Sequence, residues 1–202
     1  MKRFSANMPT ALVAICILTA GLLISTGSHG QIKYQSNGGV KLTIEGTSNI
    51  HDWDMKSNKG ACTAEFQFNS SGQLAGLTSL HFTVPAESLK SEHKSMDKNT
   101  YKALNTEKYN AISFTAANAV VKPNAKGEYV LTARGNLTIS GVTRVVDLTA
   151  TGTMNTDKTI TYTGSYKLKM TDYKVTPPTM MFGTIKTGDA ITVKFDLVLQ
   201  AL

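Results

Sequence analysis

His51-Asp52-Trp53 sets an imidazole, a carboxylate and an indole side by side. Such a trio can bond or stack against the polar end of a bound molecule. It can equally form a strand corner in which Trp53 packs and Asp52 caps a turn. His51, His81 and His93 could gather a metal ion, but their spacing follows no tight ligand pattern. Asp97 and Glu107 could act as a carboxylate pair, yet both fall on or beside an exposed helix. Cys62 shares its parity with Ala64, Phe66 and Phe68, an apolar face on which a thiol is inert rather than nucleophilic. The sequence has no G-x-S-x-G, no H-E-x-x-H and no phosphate-binding loop. A non-enzymatic protein with no metal site and no cofactor is expected.

What must position these groups is a chain of alternating strands, organised around the stretch from Gly135 to Arg144. One strand ends there at Ile139, the chain turns at Ser140-Gly141, and another runs on through Val145-Val146-Asp147-Leu148. Glycine in that turn permits the positive φ of a tight hairpin. Gly135 inside the strand marks a bend or a close backbone approach. Period-two alternation also marks Val40 to Ile44, Cys62 to Phe68, Leu80 to Val84, Ile112 to Val121, Ile160 to Met170 and Ile191 to Leu199. His51 to Met55 adds a short strand. Met96, Tyr101 and Leu104 recur at near-helical spacing and predict one helix over Lys94 to Leu104, a plug or lid over a barrel mouth.

Eight or nine strands with short turns predict an all-β antiparallel barrel or sandwich, because the connections are too short for parallel crossovers. Ala133, Gly135, Ala150, Gly152 and Gly164 are small residues on inward faces. They either narrow the taper of a packed barrel or leave a tunnel. Tyr173 to Thr187, with Pro177-Pro178, reads as a loop with an apolar tip at Met180-Met181-Phe182.

Lys2 and Arg3, an apolar run from Ala11 to Ile24, and small Ser28 and Gly30 ahead of Gln31 form the pattern of a secretory signal. Residues 1–30 are read as a cleaved signal peptide and residues 31–202 as one domain with a sizeable core. The apolar run falls short of the ~20 residues of a spanning helix, so no integral membrane segment is expected after cleavage. Loss of Lys2 and Arg3 lowers the net charge from +7 to +5. The remaining lysines are spread along strands and loops, and the lack of a basic stripe argues against nucleic acid. Cys62 is then the only cysteine, so the core and the closed sheet must hold the domain without a disulfide.

The stretch Gly135-Asn136-Leu137-Thr138-Ile139-Ser140-Gly141-Val142-Thr143-Arg144 resembles the G-x-L-T-I-x-G-V-T-R signature of the YceI-like family. Met96-Asp97, Tyr101-Lys102-Ala103-Leu104 and Tyr109-Asn110-Ala111-Ile112-Ser113-Phe114 are similar to a second landmark of that family, with Asn110 where proline is usual. Thr187-Gly188-Asp189-Ala190-Ile191-Thr192-Val193 is similar to its ending. The likeness covers nearly all of residues 40–200. It implies a lipocalin-like antiparallel β-barrel of about eight strands with one short helix, exported to the bacterial periplasm. It also implies a polyisoprenoid chain, such as a quinone tail or a prenyl phosphate, held in an apolar tunnel, and no catalytic residues.

A long branched hydrocarbon is driven from water by ~25 cal/mol for each Å² buried, so its site needs length and an apolar lining rather than hydrogen bonds. The expected lining is Phe66, Phe68, Phe82, Phe114, Leu131, Leu148, Tyr162, Tyr166, Leu168, Phe182 and Phe195. His51 and Trp53 are expected at the mouth. The function expected is an exported protein binding a polyisoprenoid, quinone or other lipid. A filled barrel docking an envelope partner through Met180 to Phe182 is the alternative, and an enzyme using His51-Asp52 a third. An apolar small molecule is the expected partner, with a homodimer left open.

Overall fold

The computed structural model describes residues 30–202, so the export signal read over residues 1–30 lies, but for Gly30, outside the described residues. Alternation of apolar and polar side chains produces eleven strands: β1 (Gly30–Ser48), β2 (Asp52–Ser57), β3 (Ala61–Phe68), β4 (Leu74–Pro85), β5 (Ala111–Ala116), β6 (Ala119–Pro123), β7 (Tyr129–Ile139), β8 (Val142–Met154), β9 (Ile160–Lys169), β10 (Thr179–Met180) and β11 (Ile185–Ala201). One α-helix, α1 (Lys94–Leu104), interrupts them at the predicted place.

All pairings are antiparallel, and the ring closes where β1 meets β11, from Tyr34 opposite Ala201 to Ser48 opposite Thr187. Eight positions make the barrel: β1, β11, β9, β8, β7, then β5 with β6, then β4, then β3 with β2. Closure leaves few strand edges open to a stray partner. β10 is a two-residue flap on the end of β11.

Several strands run further than expected: β4 starts at Leu74, and β11 starts at Ile185, within the segment read as a loop. β1 begins at Gly30 rather than Val40, with Gly30 to Gln35 paired to β3 and Leu42 to Thr47 paired to β2. Its Asn37-Gly38-Gly39 looks like a turn but forms a bulge, with Gly38 at φ 69° and the register shifting between Ser36 and Val40. The strand expected from Ile112 to Val121 is two strands, since β5 and β6 part at Ala117-Asn118 and β6 moves to Gly76-Leu77 of β4.

The barrel is packed at one end and hollow at the other. At the packed end, Phe66 meets Tyr34 edge-on at 5.4 Å and stacks on Tyr162 at 6.1 Å. Cys62, Ile160, Leu199 and Ala133 fill the space around them. The same faces continue towards the other end as half-buried residues: Leu197 and Leu199 give way to Ile191 and Val193 on β11, and Leu131 gives way to Leu137 and Ile139 on β7. Inward-facing residues that are only half-buried must border a void.

Burial raises the Cys62 thiol from 9.0 to about 12, and it raises the Tyr173 phenol from 10.0 to about 12, with Tyr162 moved the same way. These groups ionise in the unfolded chain first, so the folded state binds more protons as pH rises. Stability should therefore be complete below about pH 9 and decline between there and pH 12, seen as a falling urea midpoint. Cys62 should resist a thiol reagent at pH 8 until the chain unfolds.

Candidate functional site

Helix α1 closes the hollow end, and three contacts fix it there. Tyr101 Oη donates its proton to the Leu89 carbonyl at 2.7 Å and lies 2.9 Å from the Glu87 carbonyl, tying the helix to the turn that leaves β4. Asp97, expected on an exposed helix, is buried and accepts from the Ser91 backbone N–H at 2.7 Å and its hydroxyl at 2.8 Å. That carboxylate secures the first turn of the helix. At the other end Asn105 adopts φ 52° and Ser140 Oγ donates to the Leu104 carbonyl at 2.8 Å.

That last contact gives the Gly135–Arg144 stretch its structural meaning. Ser140 and Gly141 both have positive φ, 48° and 75°, as a two-residue hairpin turn of this hand requires. The Tyr109 ring lies so close to Gly141 that a Cβ there would overlap it. Leu137 and Ile139 line the hollow. Thr138 and Thr143 hydroxyls bond across the hairpin at 2.8 Å. Arg144 Nε donates to the Asp172 carbonyl at 3.0 Å, holding the turn from Met170 to Tyr173, whose two end residues line the cavity. Gly141→Ala meets both a positive φ and a filled space, and should lower stability by about 1–3 kcal/mol, read as a lower Tm.

The hollow is a cavity of about 300 Å³. Its floor is aromatic. The Phe114 ring lies over Gly135 and the Phe195 ring over Gly164, in space a Cβ would occupy. The small inward residues thus make room for neighbouring rings rather than for a through-tunnel, and the cavity is blind. Its walls are Leu42, Ile44, Met55, Ile112, Leu148, Tyr166, Leu168, Ile191 and Val193, roofed by Met96, Ala103 and Leu104. Among the described residues no Lys, Arg, Asp or Glu lines it. The exposed lining residues, Ile50, His51, His93 and Ser95, mark the mouth, with Pro178, Met180, Ile185 and Thr187 beside them.

Of the expected lining, the structure brings Phe82, Phe114, Leu148, Tyr166, Leu168 and Phe195 to the cavity, with His51 and Trp53. It does not bring Phe66, Phe68, Leu131 or Tyr162, which share the inward face but lie in the packed half below the floor. Phe182 is also misplaced by that expectation: it points fully into solvent. Leu137, Ile139, Ile191 and Val193 were missed, although each shares strand parity with a residue chosen. Position along the strand, not residue type, decides which inward side chains reach the cavity.

His51 Nδ1 lies 2.7 Å from the Asp52 carbonyl, which can only accept, so a neutral ring keeps its proton there and offers Nε2 as an acceptor. Asp52 caps no turn. The Ser48 hydroxyl does that, accepting from the Ile50 and His51 N–H groups. Trp53 packs its indole over Gly46 and donates from Nε1 to the Thr47 carbonyl at 3.0 Å. His93 joins His51 on the rim while His81 sits exposed on β4, outside the lining. Among the described residues no three His, Cys, Asp or Glu groups gather to hold a metal, and no helix is long and apolar enough to cross a membrane.

A model of the YceI-like domain matches residues 26–199. The fold is shared with the crystal structure of Burkholderia cenocepacia BcnA, at a TM-score of 0.62 and 18% identity, over 80% of this chain and 96% of that one. It is also shared with a polyisoprenoid binding domain from Saccharophagus degradans implicated in plant cell wall breakdown, at a TM-score of 0.61 and 13% identity, over 85% and 99%. A Campylobacter jejuni YCEI protein aligns at a TM-score of 0.51 and 19% identity, over 70% and 81%. Among curated protein sequences none matches.

Proposed function

The chain belongs to the YceI-like family, and on that premise we propose that it is an exported, periplasmic binding protein holding a long apolar ligand, a polyisoprenoid, quinone or other lipid, in the barrel. The observation that carries this is the blind cavity of about 300 Å³ whose lining includes no charged side chain. Apolar contact is then the only large driving force available, at ~25 cal/mol for each Å² buried. At the mouth, His51 Nε2, His93 and Ser95 can meet the head of a ligand whose tail lies on the Phe114–Phe195 floor. With no cation in the lining, a neutral head such as a quinone carbonyl suits this mouth better than a phosphate. The role proposed is non-catalytic and needs no cofactor.

The cavity is at the low end of the ~300–1,000 Å³ of drug-sized sites, so it takes the end of a long chain and leaves the rest at the mouth. The polyisoprenoid binding named for the Saccharophagus domain supports the ligand class. Native mass spectrometry of the chain purified without detergent, followed by organic extraction, tests the reading. A stoichiometric isoprenoid or fatty chain is the expected result. A bare mass together with failure to take up added quinones would overturn it and leave the alternative of a non-catalytic barrel that docks an envelope partner through Met180 to Phe182.

A further inference from the structure

The cavity mouth carries apolar side chains that face outward. Phe182 is the most exposed large apolar residue among those described, and Met181 and Ile50 are 69% and 57% exposed. They form one patch, because Asn49 bridges the two loops: its Nδ2 donates to the Thr184 carbonyl at 2.9 Å and its Oδ1 accepts from the Lys186 N–H at 2.8 Å. The backbone at the tip is strained. Met181, Phe182 and Gly183 have φ of 51°, 56° and 87° in succession, and a bulky side chain seldom occupies that region. The strain gains no core contact, since neither Met181 nor Phe182 is buried; it turns both ends into solvent. The surrounding segment, residues 173–187, carries Lys174 and Lys186, both exposed, and no carboxylate.

We propose that this rim is a bilayer-docking face. Phe182, Met181 and Ile50 enter the boundary between headgroups and acyl chains of an anionic lipid surface. Lys174 and Lys186 meet the lipid phosphates, as cationic residues beside an apolar insertion do. The docked rim sets the mouth against the source of an apolar cargo, so the ligand passes between bilayer and barrel without crossing water. A second copy of the chain suits the patch less well: stable self-association buries ~800 Å² on each partner, and three side chains on a narrow tip fall short of that. The inference rests on the cavity being a lipid site, but its test is separate.

Among the described residues the barrel closes within residues 30–202, so the chain from Gln31 keeps that closure and is used here. It is sedimented with vesicles of phosphatidylethanolamine and phosphatidylglycerol, and with phosphatidylcholine alone. The wild type should partition onto the anionic vesicles. Phe182→Asp should reduce this at least tenfold, and the double change Lys174→Gln with Lys186→Gln several-fold, as should raised salt. Decylubiquinone delivered from cyclodextrin should bind Phe182→Asp as tightly as the wild type, since Phe182 does not line the cavity. The proposal fails if the wild type ignores anionic vesicles or if Phe182→Asp sediments with them undiminished. It fails also if the change instead dissolves a dimer seen by analytical ultracentrifugation. Vesicle binding without any quinone binding would remove the carrier reading and leave the docking face standing.

Discussion

Phe66→Ala is expected to lower the unfolding free energy by about 3–5 kcal/mol. Phe66 has no solvent exposure and is fixed by the edge of Tyr34 and the face of Tyr162. Truncation leaves a ring-sized void among strands that cannot collapse, because each is hydrogen-bonded on both sides around a closed barrel. Set against the ~5–15 kcal/mol that holds a typical domain together, the loss is large, and Tm should fall by roughly 10 °C. Phe195→Ala is the informative contrast. Its ring already borders the cavity, so fewer of its contacts are lost, and its cost should be clearly below that of Phe66→Ala. Urea unfolding of both variants measures the difference; equal costs would mean that the floor is packed as tightly as the closed end.

The contrast also shows which parts of the molecule were legible in the sequence. Alternation marked the strands of the ring, and helix α1 was placed over Lys94–Leu104 from its own spacing. Pattern failed where pairing overrode local chemistry. Asn37-Gly38-Gly39 has the composition of a turn, yet β11 on one side and β3 with β2 on the other keep the chain extended through a bulge. The site was legible only as a face. Parity assigns Leu131, Leu137 and Ile139 to the same interior, but nothing in a period of two says that the first lies in the packed half and the other two beside a void. That division depends on where the rings of Phe114 and Phe195 fall across Gly135 and Gly164. A glycine in a strand marks a close approach, but the ring that occupies its space comes from a residue distant in sequence. Phe182 failed for the opposite reason, since a left-handed backbone turned an apolar residue outward against its type.

Val193→Trp should sharply weaken ligand uptake while the barrel stays folded. Val193 stands on β11 between Ile44 of β1 and Tyr166 of β9, and all three line the cavity. An indole there has a void to enter, so it avoids the strain of overpacking a filled core. It also takes up much of a cavity of only about 300 Å³. An apolar ligand gains affinity in proportion to the area it buries. Excluding even part of a tail should therefore weaken binding at least tenfold, since each ~1.4 kcal/mol is a factor of ten. Leu137→Trp on β7 should act alike from another wall, whereas Thr163→Trp, exposed on β9, should leave binding unchanged. Titration with decylubiquinone, with a melt to confirm folding, distinguishes the three. Melting of Val193→Trp at or above the wild-type temperature would show that the indole fills space already present. Full binding by a well-folded Val193→Trp would place the ligand outside the barrel and return the interior to being core alone.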